Sequence, residues 1–197
     1  MIIKLKQEVT DETIFLPHLT LCTPDKDCPG RERNSLRADR SDLKNKPDDL
    51  TRKNPYGKVP VLVDGHGIIY ESAIIDEYLD EKFSQVRLMP ADLLQRAKAR
   101  IWIDYFSTRL HAAASDITHD RNPEKAQQRL QQYLTDLDRE MAGKDYLVDD
   151  QYSLADVSFI PFYTRRERYH VTIDDNYPNV KRWAENLIAR PQVAATL

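Results

Sequence analysis

Two residues in the middle of the chain have the types and the position needed to bind a small anion. Glu71 and Ser72 directly precede an apolar pattern of helical period. The apolar positions of this pattern are Ile74, Ile75, Tyr78 and Leu79. The backbone N–H of Ser72 is therefore expected at the positive end of a helix, where a carboxylate binds readily. The alternative is that the pair only starts the helix, as such residues often do.

A second candidate site is the Val59–Pro60 step. Pro60 stands between two valines at the head of a predicted strand, where a trans proline costs a hydrogen bond of the sheet. A cis Val59–Pro60 bond would turn the chain and leave the backbone N–H and C=O of Val59 facing a ligand. An edge-strand proline without any ligand is the alternative.

Cys28 is the residue that could supply thiol chemistry. Arg31 and Arg33 follow it, and a thiolate is favoured at a helix N-terminus beside arginines. Thr23 and Cys22 are rival candidates, a Cys22–Cys28 disulfide is left open by the spacing, and a plain loop cysteine is the alternative. The five histidines show no spacing typical of metal ligands, so we expect no metal site.

The elements before residue 83 are predicted to be strands and one helix. Short apolar runs at 59–63 and 68–70, joined by Asp64-Gly65, predict a β-hairpin. Residues 25–53 are rich in charge and poor in apolar anchors, so we predict a long solvated loop there with at most one exposed helix.

The elements after residue 93 are predicted to be helices, because apolar residues recur three and four positions apart. A long helix runs from about residue 94 to about 114. Asn122 and Pro123 predict the start of the next helix, and Gly143 its end. The remaining signals are a capping box at residues 153–156 and a last helix over 178–189 that Pro191 ends. The domains are therefore predicted at 1–83 and 93–197, with a linker at 84–92.

The composition excludes several classes of protein. Of 197 residues, 41% are hydrophobic and 31% charged, which is typical of a globular protein. The net charge of −3 gives no general attraction to nucleic acid or to an anionic membrane. Neither a membrane span nor a signal peptide is recognisable, and with two cysteines we expect a cytoplasmic protein.

Three segments, at 43–47, 53–62 and 70–79, resemble the glutathione-binding half of cytosolic glutathione transferases. The similarity is closest in character to the omega class and to the stringent starvation proteins of bacteria. The capping box at 153–156 and Trp183 follow in the order expected for the second half. The resemblance implies an α/β, thioredoxin-like N-terminal domain followed by an all-α helical bundle.

The resemblance also implies roles for the candidate residues, with glutathione as co-substrate. The backbone of Val59, set by Pro60, would pair with the cysteinyl part of glutathione. Ser72 would hold the γ-glutamyl carboxylate and Glu71 the amino group. Lys46 would lie near the glycyl carboxylate, unless it is only a surface lysine.

The thiol-activating region departs from the family pattern. Cys28 resembles the omega-type start of the first helix, but the stretch from Cys28 to Leu43 is too short for the rest of that helix and a second strand. We therefore predict that the second strand is missing, with Leu19 to Leu21 as the first strand and Ile2 to Lys6 as a replacement edge strand. A third interpretation is an altered sequence over residues 1–42.

A second-substrate site is predicted between the two halves, with an electrophile or a disulfide as substrate. Tyr105, Phe106, Arg109 and Tyr163 are its candidate residues, and an ordinary aromatic core is the alternative. The predicted activity is transfer of the glutathione thiol to an electrophile, or reduction of a mixed disulfide. The other hypothesis is a non-catalytic interaction protein of the same fold; in either case we expect a homodimer.

Overall fold

The computed structural model describes residues 2–6, 35–39, 48–83 and 87–195. The chain divides into two compact units, Met1–Ser84 and Gln85–Leu197.

The N-terminal unit is a four-stranded sheet with helices. Its elements are β1 (Ile2–Lys6), β2 (Ser35–Asp39), α1 (Asp48–Lys53), β3 (Val61–Asp64), β4 (Gly67–Tyr70) and α2 (Ser72–Lys82). The strand order is β2-β1-β3-β4. Strand β1 is antiparallel to β2 and parallel to β3, and β3 is antiparallel to β4.

The structure confirms the predicted hairpin and corrects two predictions upstream of it. Asp64 pairs with Gly67 across the turn, and Gly65 there has a φ of 58° that favours glycine. The second strand is not missing, because 35–39 forms β2. The one helix that the interpretation of residues 25–53 allowed is present at 48–53 as α1, although its Leu50 is buried. The strand at 2–6 exists, but it lies inside the sheet and not at its edge. The predicted strand at 19–21 lies outside the described residues.

Helix α2 is held against the hairpin by apolar and polar contacts. Ile75 and Leu79 are fully buried. On another side of the helix, the Tyr78 hydroxyl and the Lys82 ammonium both donate to Asp64 at the end of β3. The hydrogen bond from Lys82 is the largest cause of the lowered pKa of Asp64, and the hydrogen bond from Tyr78 is the next largest. These contacts fix the orientation of α2 relative to β3.

The C-terminal unit is all helical. It contains α3 (Leu93–Tyr105), a π-helix (Phe106–Leu110), α4 (His111–Thr118), α5 (Pro123–Glu140), α6 (Leu154–Thr164), a 3-10 helix (Arg166–Tyr169), α7 (Pro178–Ala189) and α8 (Pro191–Ala194). The predicted helix from 94 to 114 is therefore one continuous stretch with a π-helical segment inside it. Asn122 precedes α5 as predicted but makes no side-chain capping bond, and Pro191 opens α8 where it was expected only to end α7.

Aromatic side chains form the centre of this unit. Phe106, Phe159, Phe162 and Trp183 are each fully buried. The Phe159 ring lies 4.5 Å from Trp183 and 5.5 Å from Phe106, centroid to centroid. Such ring pairs add about 0.5–1.5 kcal/mol each beyond the area they bury.

Asp156 organises the polar interior of the same unit, and it confirms the predicted capping box. Its carboxylate accepts hydrogen bonds from the Ser153 backbone N–H at 2.9 Å and the Ser153 hydroxyl at 3.1 Å. It also accepts from the Leu147 backbone N–H at 3.0 Å and the Trp183 indole N–H at 3.1 Å. One buried carboxylate thus ties the start of α6 to the preceding loop and to α7.

We expect Asp156→Ala to lower the free energy of unfolding of this unit by about 3–5 kcal/mol, because it leaves several buried donors without an acceptor. Urea denaturation followed by tryptophan fluorescence measures the loss. Glu185→Ala, at an exposed position of α7, is the control and should shift the midpoint little. Equal stability of the two variants would contradict the role given to Asp156.

Candidate functional site

The register of the hairpin brings the two predicted ligand-binding segments to one end of the sheet. Val61 pairs with Tyr70 in the β3–β4 ladder. The Val59–Pro60 step directly precedes Val61, and Glu71 directly follows Tyr70. The Val59–Pro60 peptide bond is cis, which is the form that the ligand-binding interpretation of this step predicted.

A buried asparagine shapes the loop that leads into this step. Asn54 is 1% exposed, and its side-chain amide donates to the Lys58 carbonyl at 2.8 Å. Its side-chain oxygen accepts from the Tyr56 backbone N–H at 2.9 Å. Gly57, with a φ of 58°, completes the turn. The approach of the chain to Val59 is therefore fixed by a satisfied buried amide.

The start of α2 has the geometry of an anion site. Glu71 precedes the helix with a φ of 71°, a value that residues with a Cβ atom rarely adopt. Its carbonyl accepts from the backbone N–H groups of Ile74 and Ile75. No side chain caps the helix, and among the described residues the N–H groups of Ser72 and Ala73 have no acceptor. These free donors, together with the helix dipole, favour a bound carboxylate.

One turn further along α2 lies a carboxyl group that the sequence analysis did not single out. Asp76 is 4% exposed, and burial raises its pKa to about 8. Its Oδ1 atom has no hydrogen-bond partner among the residues that the structure describes. The sequence signal that could have indicated this buried acid is an acidic residue directly after the apolar Ile75.

Four of the residues singled out from the sequence lie outside the described residues. They are Cys28, its rivals Cys22 and Thr23, and Lys46. Their roles stay predictions.

Two of the predicted second-substrate residues lie at the junction of α3 and the π-helix. Tyr105 is half-buried, and burial raises its pKa to about 12. Its hydroxyl donates to the Tyr133 carbonyl of α5 at 3.1 Å. The exposed Arg109 guanidinium lies 5.6 Å from the centre of the Tyr105 ring. This pair presents a cation next to an aromatic face.

The other two predicted residues belong to the aromatic core. Phe106 is fully buried against Phe159 and Trp183. Tyr163 is 6% exposed, and the Arg166 guanidinium stacks on its ring at 4.3 Å. Phe106 therefore belongs to an ordinary aromatic core, which was the alternative to a role in substrate binding.

A separate small cavity of about 240 Å³ lies between α5 and the segment at 170–177. None of the predicted site residues lines it. Within the described parts of the chain, no group of three or more His, Cys, Asp or Glu side chains could hold a metal ion. The described helices also include none of the length and apolarity that a membrane crossing requires.

Comparison with known proteins decides the family. The profile of the glutathione S-transferase N-terminal domain matches residues 36–87, and that of the C-terminal domain matches residues 102–191. Glutathione S-transferase U19 of Arabidopsis thaliana is 30% identical over 79% of this chain and 75% of its own length. The chain belongs to the glutathione S-transferase family.

Two further comparisons of this transferase with known proteins agree with this family. Glutathione S-transferase U1 of Arabidopsis thaliana is 31% identical, over 74% of this chain and 70% of its own length. The crystal structure of a glutathione S-transferase from Methylobacillus flagellatus, with glutathione bound, superposes with a TM-score of 0.67. It is 26% identical and covers 75% of this chain and 79% of its own. A thioredoxin-like N-terminal domain with a helical C-terminal domain is thus the fold of this transferase.

The backbone at Glu71 is expected to be strained, which gives a test that does not depend on any ligand. A residue with a Cβ atom at such a φ costs about 1–3 kcal/mol. We expect Glu71→Gly to be more stable than Glu71→Ala by about 1 kcal/mol, because both remove the side chain and only glycine relieves the backbone. Urea denaturation of the two variants measures the difference, and a less stable glycine variant would contradict the strain.

Proposed function

We propose that this chain is a glutathione transferase that binds glutathione at the β3–β4 end of its N-terminal unit and transfers the thiol to an electrophile or a mixed disulfide. The observation that carries the proposal is the meeting of the Val59–Pro60 step and the uncapped start of α2 at one end of the hairpin. The family supports the same activity. The glutathione-bound structure of a relative supports glutathione as co-substrate.

Each binding group has a part of glutathione that suits it. The backbone N–H and C=O of Val59, oriented by Pro60, suit pairing with the cysteinyl peptide unit, which would lie beside them like an added strand. The free N–H groups at Ser72 and its hydroxyl suit the γ-glutamyl carboxylate. The Glu71 carboxylate suits the γ-glutamyl ammonium, and Lys46 the glycyl carboxylate.

For the chemical step we propose that the Cys28 thiolate attacks the glutathione sulfur of a mixed-disulfide substrate, which breaks the substrate disulfide and releases the substrate thiol. A second glutathione then attacks the Cys28–glutathione disulfide, which frees Cys28 and leaves as glutathione disulfide. Tyr105 and Arg109 are proposed to contact the second substrate, since Arg109 is exposed beside an aromatic ring. Tyr163 is proposed to act together with Arg166, whose guanidinium stacks on its ring. Phe106 is proposed to support the second-substrate site from the buried core. The physiological setting we propose is detoxification in the cytoplasm.

The narrower resemblance to the omega class and to the stringent starvation proteins stays a prediction. The relatives named above, U19 and U1, give it no support. A non-catalytic protein of the same fold remains the second candidate function, and the shortened region after Cys28 is the observation that favours it.

Calorimetric titration with glutathione tests the binding half of the proposal. We expect saturable binding by the wild type and a loss of about tenfold or more in affinity for Ser72→Ala, because a hydrogen bond to a charged group is removed. Ser107→Ala, which removes an exposed hydroxyl from the π-helix, is the control and should bind as the wild type. Absence of binding by the wild type at millimolar glutathione would sink the proposal.

Turnover assays separate the enzyme from the interaction protein. Wild-type protein should conjugate a generic electrophile such as 1-chloro-2,4-dinitrobenzene or reduce a glutathione mixed disulfide. Cys28→Ser should abolish disulfide reduction and keep glutathione binding, because only a thiol forms the mixed disulfide. Binding without turnover of either substrate would favour the non-catalytic candidate.

A homodimer is proposed from an apolar stripe on α3. Leu94 and Ile101 are 64% and 65% exposed, and the exposed Ala97 lies between them on the same face. Residues at i, i+3 and i+7 form one stripe along a helix, and exposed stripes of this kind mark protein contacts. A closed two-fold dimer is the commonest arrangement that covers such a surface.

We expect Ile101→Glu to shift the protein from dimer to monomer in sedimentation velocity, because a charge would be placed in the apolar contact. Asn186→Glu adds the same charge at an exposed position of α7 and should leave the dimer intact. A wild-type monomer, or an unchanged dimer in Ile101→Glu, would exclude this stripe as the contact.

A further inference from the structure

Helix α2 contains a buried acid that neither the core nor the proposed glutathione contacts use. Asp76 is 4% exposed, and within the described parts of the chain its Oδ1 atom lacks a hydrogen-bond partner. A buried polar group without a partner destabilises the fold. Groups of this kind concentrate at functional sites, so the surroundings of Asp76 decide what it can do.

Asp76 lies on the same face of α2 as Ser72, one turn away. Side chains four residues apart are neighbours on a helix, and each leans towards the helix N-terminus. A side chain at position 76 is therefore expected to lean back over the turn that begins with Ser72. Among the described residues the Ser72 hydroxyl also has no hydrogen-bond partner. No hydrogen bond joins the two groups in the described structure, so a rotation of one of the two side chains is needed to form it.

We propose that Asp76 is a positioning residue of the glutathione site, and that its neutral carboxyl group donates a hydrogen bond to Ser72 Oγ. The single hydroxyl hydrogen of Ser72 is then free to be donated to the γ-glutamyl carboxylate. This inference rests on the proposed binding of glutathione by Ser72.

The ionised form of Asp76 has the opposite effect. A carboxylate only accepts hydrogen bonds, so it takes the hydroxyl hydrogen of Ser72 away from the ligand. It also places a negative charge one turn from the bound carboxylate. Since burial raises the pKa of Asp76 to about 8, the neutral form that favours binding predominates at neutral pH and is lost as the pH rises through that value.

We expect the pH dependence of binding to come from Asp76 and not from the other titratable groups near α2. The titratable groups of α2 and of the strands packed on it are Asp64, Tyr70, Glu71, Glu77, Tyr78, Asp80, Glu81 and Lys82. Asp64, Tyr78 and Lys82 bond to one another on the opposite side of α2. Asp80 lies on the face of Asp76 and has an interaction of its own. Burial raises the pKa of Asp76, and among the described residues no neighbouring charge contributes to the shift.

The experiment is calorimetric titration with S-methylglutathione between about pH 6 and about pH 9, a range that brackets the titration of Asp76. Its methyl group removes the thiol titration, and the ligand's amino group titrates equally with every variant. We expect the wild-type dissociation constant to rise roughly tenfold more across this range than that of Asp76→Asn. The asparagine amide still donates to Ser72 but does not ionise, so this variant should bind at low pH as the wild type does.

Two further variants keep the test decisive. Glu81→Gln removes the same charge from an exposed position of α2 and should follow the wild-type pH profile. Asp76→Leu, which fills the buried position without a titratable group, should share the flatter profile of Asp76→Asn even if the asparagine variant folds poorly. Parallel profiles for wild type and both Asp76 variants would overturn this inference while leaving glutathione binding intact. Failure of the wild type to bind at any pH would instead refute the proposed function.

Discussion

The pairing of Val61 with Tyr70 is the constraint on which the candidate site depends. A strand exposes alternate residues on opposite faces, so a slip of one residue in this ladder would turn every side chain over. The observed register places the Val59–Pro60 step beside the start of α2. The bonds from Tyr78 and Lys82 to Asp64 then hold the helix at the other end of the same hairpin. Sheet register and helix position are thus set by one short hairpin.

The C-terminal unit is held together by a different device. Its helices meet through stacked aromatic rings, and the polar groups left among them converge on carboxylates. Asp156 joins α6 to α7 through Trp183, and Asp138 on α5 accepts from the backbone N–H groups of Asn179 and Val180 at the start of α7. Each carboxylate satisfies donors from elements far apart in sequence, so the helices can pack closely without leaving buried donors unpaired.

The N-terminal unit, by contrast, keeps unfavourable features close to the proposed ligand. Glu71 has a backbone conformation that is costly for a residue with a Cβ atom, and the buried Asp76 carboxyl has an Oδ1 atom that no described residue bonds. The start of α2 leaves backbone donors free. A fold optimised only for stability would lose all three, whereas a site that binds a carboxylate uses donors that the protein has not already satisfied.

The local features could be predicted from the amino-acid sequence, because their causes lie within a few residues. The hairpin turn at Asp64-Gly65, the cis alternative at Val59–Pro60, the helix starting at Ser72 and the capping box of Asp156 all follow from neighbouring residue types. Tertiary structure decided what depends on distant partners. The strand at 35–39 is defined by its antiparallel pairing with β1, which lies far away in the sequence. Phe106 became core and Asp76 became buried because of the elements packed on them, which spacing along one helix does not reveal.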